Sequence, residues 1–166
     1  MFIDAIRRLY EYTDEQNARV LDAAAGLTAA QFTAQPIAGL PSIRDALVHM
    51  VDAHVCHLSW WDGSMTRDES FARKFPAEDY PDVASVERFW ANVHAQTMTF
   101  IATLTAEGDL ERVYRRVLPA YRGGTTVERQ LWEMMLHVAN HGTQHRSEIA
   151  LMLTALGHSP GDLDLL

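Results

Sequence analysis

The sequence predicts an all-α fold, a four-helix bundle over residues 1–166 as a single domain, and three observations carry that reading. Four stretches repeat apolar residues at helical spacing, caps or breakers bound them, and strand signals are weak. The first helix runs from about Ile3 to Ala25, with Ile6, Leu9, Tyr10, Val20, Leu21 and Ala24 on one stripe. Gly39-Leu40-Pro41 breaks the chain. Ser42 then reads as the N-cap of a second helix, with Asp45 three residues on and an apolar pattern that continues through Trp61 to a stop at Gly63. The third helix is expected from about Ser85 to Ala106, on Val86, Phe89, Trp90, Val93, Ile101 and Leu104. The fourth is expected to begin after Gly123-Gly124, where Thr125 and Glu128 match a capping box, and to end at Leu156 before Gly157 and Pro160. Val113 to Tyr121 has room for a small hairpin at most.

Connection length bears on topology. A helix of ~20 residues is ~30 Å long. The 23 residues from Asp62 to Ala84 recross that length easily, since extended chain covers up to ~3.3 Å per residue. Helices two and three are therefore expected to run parallel.

Composition narrows the function. With 166 residues, 48% hydrophobic and 22% charged, the chain reads as an ordinary soluble globular protein. No apolar run approaches a membrane span. Asp4 interrupts the stretch where a signal peptide carries its apolar run, so a cytoplasmic location is expected. Cys56 is the only cysteine, which excludes an intrachain disulfide. The net charge of -8 argues against nucleic acid as the main partner. Arg112, Arg115, Arg116 and Arg122, around Pro119 and Gly123-Gly124, are a local exception. A solvated hairpin surface is the simpler reading, and an anion-attracting rim on a substrate pocket is the sharper one.

The histidines carry the chemistry. His141 and His145 stand four residues apart in Asn140-His141-Gly142-Thr143-Gln144-His145-Arg146, which puts both on one helix face. Two imidazoles so placed can bind one divalent metal. A third ligand from His49, His54 or His57 would leave the ion open to water or substrate, as in a catalytic site. On a helical wheel His145 falls in the middle of the apolar face with Leu131, Met134, Val138, Ile149, Met152 and Leu156, and His141 lies at its edge. His137 with His141 is the fallback pair. On the second helix periodicity alone chooses His54, while His49 sits on a flank with Ala46, Ala53, Cys56 and Trp60. The bland alternative is a pair of surface or hydrogen-bonded histidines.

Four segments resemble the DinB/YfiT-like metalloenzymes, a family named for bacterial DNA-damage-inducible proteins. They are Tyr12-Thr13-Asp14-Glu15-Gln16-Asn17, Ser42-Ile43-Arg44-Asp45-Ala46-Leu47-Val48-His49, Leu136 through Arg146, and Leu156-Gly157-His158-Ser159-Pro160 with Asp164-Leu165. The resemblance implies up-down-down-up topology, a homodimer, and a three-histidine site for a divalent metal, zinc or nickel. It places the ligands on His49, His141 and His145, against the wheel's preference for His54. Relatives include thiol-dependent S-transferases and a mycothiol-dependent isomerase. Thiol transfer to a small electrophile is therefore the leading expectation, with a low-molecular-weight thiol as co-substrate. A metal-activated hydrolase and a non-enzymatic stress-related metal-binding protein are the alternatives. The family commonly continues His-His-Arg-Gly-Gln, whereas this chain reads Gln144-His145-Arg146-Ser147-Glu148. Glu148 thus brings an acid near the metal. Glu148 and Asp52 are expected to orient a ligand or move a proton, and Arg146 to hold a substrate carboxylate.

The implied homodimer, together with the surplus apolar positions on helices one and two, makes a direct expectation. Light scattering at micromolar concentration should give the mass of two chains, and the mass of one would refute it.

Overall fold

Four helices, Phe2–Ala24 (α1), Ile43–Trp61 (α3), Val83–Ala102 (α5) and Leu131–Ala155 (α7), carry two apolar clusters between them. The computed structural model of the chain describes residues 2–118 and 120–165, and for Arg122 the backbone alone. Pro119 and the Arg122 side chain, part of the expected arginine cluster, therefore lie outside the described residues. Three short helices, Ala29–Thr33 (α2), Arg67–Ala72 (α4) and Glu107–Leu110 (α6), two 3-10 turns, Ala77–Asp79 and Ala120–Arg122, and one two-stranded hairpin, Val113–Val117 (β1) with Thr126–Gln130 (β2), complete the described elements. None of the described helices is long and apolar enough to cross a membrane.

The clusters report the direction of each helix. One cluster takes Ile6 and Tyr10 from the start of α1, Leu58 and Trp61 from the end of α3, Phe100 and Ile101 from the end of α5, and Leu131 and Met135 from the start of α7. The other takes Val20 and Leu21, then Ile43 and Leu47, then Val86 and Trp90, then Ile149 and Met152. The helices thus run up, down, down, up, with α3 and α5 parallel. Between Trp61 and Val83 the chain climbs the length of the bundle, as its length allows. On the way α4 is clipped to α3 by Cys56, whose Sγ donates to the Ser70 carbonyl, and by Ser70, whose hydroxyl donates to the Cys56 carbonyl. Farther up, Phe75 and Tyr80 pack on Phe89 of α5.

Two helices differ from expectation in their bounds. Segment 126–130 is a strand, so α7 starts at Leu131 and not after Gly124. The capping signature of Thr125 and Glu128 loses to cross-strand pairing. Glu128 stands opposite Arg115 and accepts from its Nε at 2.6 Å. The helix is capped by Glu133, whose carboxylate accepts from the Gln130 backbone N–H at 2.8 Å. The third principal helix starts earlier, from an Asp82 cap whose carboxylate accepts from the Ser85 N–H, and ends at Ala102. The hairpin is also wider than Val113 to Tyr121, and it closes through Gly123 and Gly124, both at positive φ that other residues rarely adopt.

A polar layer separates the two apolar clusters. Thr13, Gln16 and Asn17 of α1, His54 of α3, Thr97 of α5 and Arg146 of α7 are all buried. Arg146 donates to Asn17 Oδ1 at 3.1 Å and to Thr143 Oγ1 at 2.8 Å, with its guanidinium 5.8 Å from the Tyr12 ring. The Thr97 hydroxyl donates to the Val93 carbonyl, so His54 Nε2 must donate to Thr97 Oγ1, at 2.9 Å. Burial disfavours the charged form of His54, so it is neutral in the fold near pH 7.

Both layer residues make expectations about stability. Arg146→Ala should cost about 3 kcal/mol in chemical denaturation, because it opens a cavity and strands Asn17. A cost under about 1 kcal/mol would mean that the buried guanidinium is dispensable. Burial pushes the His54 imidazole down to about 3 from 6.5. Its folded form resists protonation that the unfolded chain accepts, so stability is complete above pH ~6.5 and is lost as pH falls toward ~3. The advantage of the wild type over His54→Gln should shrink by about 1.4 kcal/mol between pH 7.5 and 5.5. A difference that stays constant with pH would refute this.

Candidate metal centre

Helix α7 buries Met135, Val138, Ala139, Gly142, Arg146, Ile149 and Leu153, so the middle of its inner face is Gly142 and Arg146. The two residues stand one turn apart. A Cβ at Gly142 would lie 3.1 Å from Arg146 Nη1, so the glycine leaves space for the guanidinium. His141 and His145 each precede one of this pair, ~100° back around the helix. They therefore emerge at the edge of the buried face, half-buried, and look toward α3. The wheel had put His145 at the centre of the apolar face. The discrepancy arises because a buried arginine does not register as core by hydrophobicity.

On α3 the inner face holds Ile43, Leu47, Met50, His54, Leu58 and Trp61. His49 sits on the flank and is exposed. That flank meets the flank of α7. The His49 ring centroid is 5.3 Å from that of His141 and 4.9 Å from that of His145, and the latter two are 4.4 Å apart. One ligand atom from each of the three lies within 4.8 Å of the others. His54 is turned away, edge-on to Tyr10 and Trp90, and bonded to Thr97.

The hydrogen bonds define which nitrogens face the centre. Glu148 Oε2 lies 2.8 Å from His145 Nδ1, and His145 Nε2 lies 3.1 Å from His141 Nε2. A carboxylate only accepts, so the Nδ1 of His145 donates to Glu148 and its Nε2 faces His141 and the centre. Burial, then the charges of His145, His49, His137 and His57, push His141 down to about 4. Burial also lowers His49, with His145 adding to the effect while Asp52 and Glu148 oppose it. Three imidazoles whose ligand atoms converge in this way form a donor set suited to a divalent cation.

The expected supporting residues divide. Glu148 is engaged with His145, as described. Asp52 is half-buried one turn beyond His49, where it accepts from Cys56 Sγ at 3.3 Å. Cys56 itself is buried, and burial, followed by Asp52, pushes its thiol up to about 11, which makes it inert as a nucleophile. Arg146, expected to hold a substrate carboxylate, is instead only 1% exposed, with its guanidinium engaged inside the bundle. Its place in the fold is structural.

The next stretch of the same groove holds His137, which the sequence offered only as a fallback ligand. Because α3 and α7 run antiparallel, His57 lies opposite His137, their ring centroids 5.8 Å apart, and His137 is one turn before His141. His57 Nδ1 donates to the Ala53 carbonyl at 2.8 Å. Burial pushes this imidazole down to about 4. A cavity of about 280 Å³ opens there, between the two helices and the hairpin. The i, i+4, i+8 series His137, His141, His145 was the available signal. A larger, shallow groove of about 450 Å³ lies along α5 near Asn92, Gln96 and Arg112, and none of these histidines lines it.

Comparison with known proteins agrees with this architecture. YfiT from Bacillus subtilis, described as a probable metal-dependent hydrolase with an unusual four-helix bundle topology, matches with a TM-score of 0.68 at 16% sequence identity, over 93% of this chain and 89% of that one. At that identity the likeness establishes the fold. No curated protein matches. The DinB family model matches residues 1–166, and the chain therefore belongs to the DinB family.

Proposed function

We propose that this chain is a metal-dependent enzyme acting on a small molecule, with His49, His141 and His145 holding one divalent ion, zinc or nickel. The observation that carries the reading is the convergence of the three ligand atoms within 4.8 Å across two helices. A divalent ion there supplies Lewis acidity, lowering the pKa of a bound thiol or water. The protein's own residues do the positioning. Glu148 holds the ring of His145 in the orientation that presents Nε2. Asp52, a turn from His49, is the second carboxylate within reach of the groove. With only three protein donors the site remains open to a substrate, and the groove leads directly from it to the cavity beside His137.

Transfer of a low-molecular-weight thiol to an electrophile is the reaction we favour, because a substrate cavity adjoins a site with room for a sulfur ligand. Hydrolysis is the second reading, favoured by the description of YfiT as a metal-dependent hydrolase.

The test begins with metal analysis of protein purified without an affinity tag, then titration with zinc and nickel. Alanine at His49, His141 or His145 should weaken binding at least a hundredfold, and Glu148→Ala about tenfold to a hundredfold. Gln at His54 or at His57 should leave affinity within about twofold, since neither is a ligand. Tight binding retained in all three ligand variants would refute the site. Turnover that requires added thiol supports transfer, turnover without thiol supports hydrolysis, and neither activity in the loaded protein refutes both.

A further inference from the structure

The hairpin is the element whose placement the metal centre does not explain. Its two strands pair Tyr114 with Arg129 and Arg116 with Val127. Directly paired residues, and residues two apart, share one face of a hairpin. These four side chains therefore form a single face, and all four line the cavity between α3 and α7. The hairpin is held in this position by the Tyr114 hydroxyl, which donates to the Trp61 carbonyl at the end of α3 at 2.8 Å. The opposite face carries Arg115, which is paired with Glu128 in solvent. In a chain of net charge -8, two guanidinium groups turned into one cavity are a local reversal of sign.

The rest of the lining is flat and apolar or neutral. Trp60 and Phe71 form walls, with Trp60 edge-on to Tyr114 at 5.2 Å and to Phe71 at 6.5 Å. Glu133 is the acid that lines the cavity among the described residues, and its carboxylate already accepts from the Gln130 N–H. His57 is neutral, and its Nδ1 proton is committed to the Ala53 carbonyl, so its Nε2 is an acceptor. Arg129 and Arg116 bring two guanidinium groups to a lining with one carboxylate and aromatic walls, and Arg129 Nη1 also donates to the Glu128 carbonyl at 2.8 Å. The volume of about 280 Å³ lies at the small end of ligand sites.

We infer that this cavity is the binding site for a small monocarboxylate with an aromatic or similarly flat apolar body, its carboxylate held by Arg129 and Arg116 and its other end directed along the groove toward the three histidines. The inference rests on the proposed metal centre for what happens to the ligand, but not for whether it binds. Bidentate guanidinium–carboxylate pairing supplies the discrimination, and the aromatic walls supply apolar contact area. His137, one turn from His141, is the boundary between the two sites. His137 and His141 are one helical turn, ~5 Å along the axis, apart, so the end of a ligand that reaches His137 lies close to the ligand rings.

The experiment uses the full chain, metal-free and zinc-loaded, titrated calorimetrically with 3-phenylpropionate and with its uncharged isostere 3-phenylpropionamide. The acid should bind at least about tenfold more tightly than the amide. Arg129→Gln should abolish that margin, and so should Arg116→Gln. Arg115→Gln removes the same charge from the outer face and should leave the margin within about twofold. His49→Ala should also preserve it, since the cavity holds the acid without metal. Equal affinity for acid and amide, or an equal loss in Arg115→Gln and Arg129→Gln, would overturn the inference. The two readings fail separately. An intact margin with no zinc binding sinks the metal centre alone, and zinc binding with no margin sinks the carboxylate site alone.

Discussion

The arrangement depends on one buried cation. Arg146 places a guanidinium in the middle of a helical bundle, where an unpaired charge is costly, and the surrounding residues answer that demand. Asn17 and Thr143 accept its hydrogen bonds, the Tyr12 ring lies under it, and Gly142 keeps clear the space that a Cβ would occupy. These partners come from α1 and from α7 itself, so they set both the register and the rotation of α7. Once Gly142 and Arg146 face α1, the residues just before each of them face α3. Those residues are His141 and His145. The orientation of two candidate metal ligands is thus a consequence of where an arginine must go.

Topology supplies the third. The connection that carries the chain from Trp61 back up to Val83 makes α3 and α5 parallel, and the return of the chain through α7 then sets α7 antiparallel to α3. Antiparallel flanks match residues in opposite order, so His49 meets His141 and His145 while His57 meets His137. One seam carries both the histidine cluster and the cavity. The hairpin closes the far end of that seam, and it can do so because strand alternation sends Tyr114 and Arg116 inward while Arg115 stays in water.

Much of this was legible in the residues, and the exceptions have physical causes. The caps at Ser42 and Gly157 and the long second connection led correctly to four helices with two parallel. The start of α7 was not legible, because Thr125 and Glu128 satisfy a local capping rule that cross-strand pairing with Arg115 overrides. Hydrophobic periodicity located the inner face of α3 and therefore favoured His54. That residue does face inward, where it satisfies a hydrogen bond to Thr97 and not a ligand position. His49 was reached only through resemblance to a family, since a ligand that must meet a neighbouring helix belongs on a flank. Periodicity marks the centre of a face and is silent about its edges. For the same reason Arg146 was expected to hold a substrate carboxylate, when a buried polar layer, not an apolar stripe, crosses the middle of this bundle.

The polar layer also explains why the histidines of this chain behave differently from one another. His54 lies inside the layer, neutral and hydrogen-bonded, and its contribution is to stability. His141 lies at the edge, where burial and four neighbouring imidazoles disfavour its charge and its Nε2 faces that of His145. An imidazole that resists protonation and has no fixed partner for one nitrogen favours a Lewis acid over a proton. His145 is committed to Glu148 through one nitrogen, which leaves the other for the same purpose. The only cysteine, by contrast, is buried with its thiol proton held between Asp52 and the Ser70 carbonyl, so it cannot serve as nucleophile or ligand without unfolding α4. Reactive sulfur in this groove would therefore have to arrive with a substrate. That requirement agrees with the proposed three-histidine site and with the cavity that adjoins it.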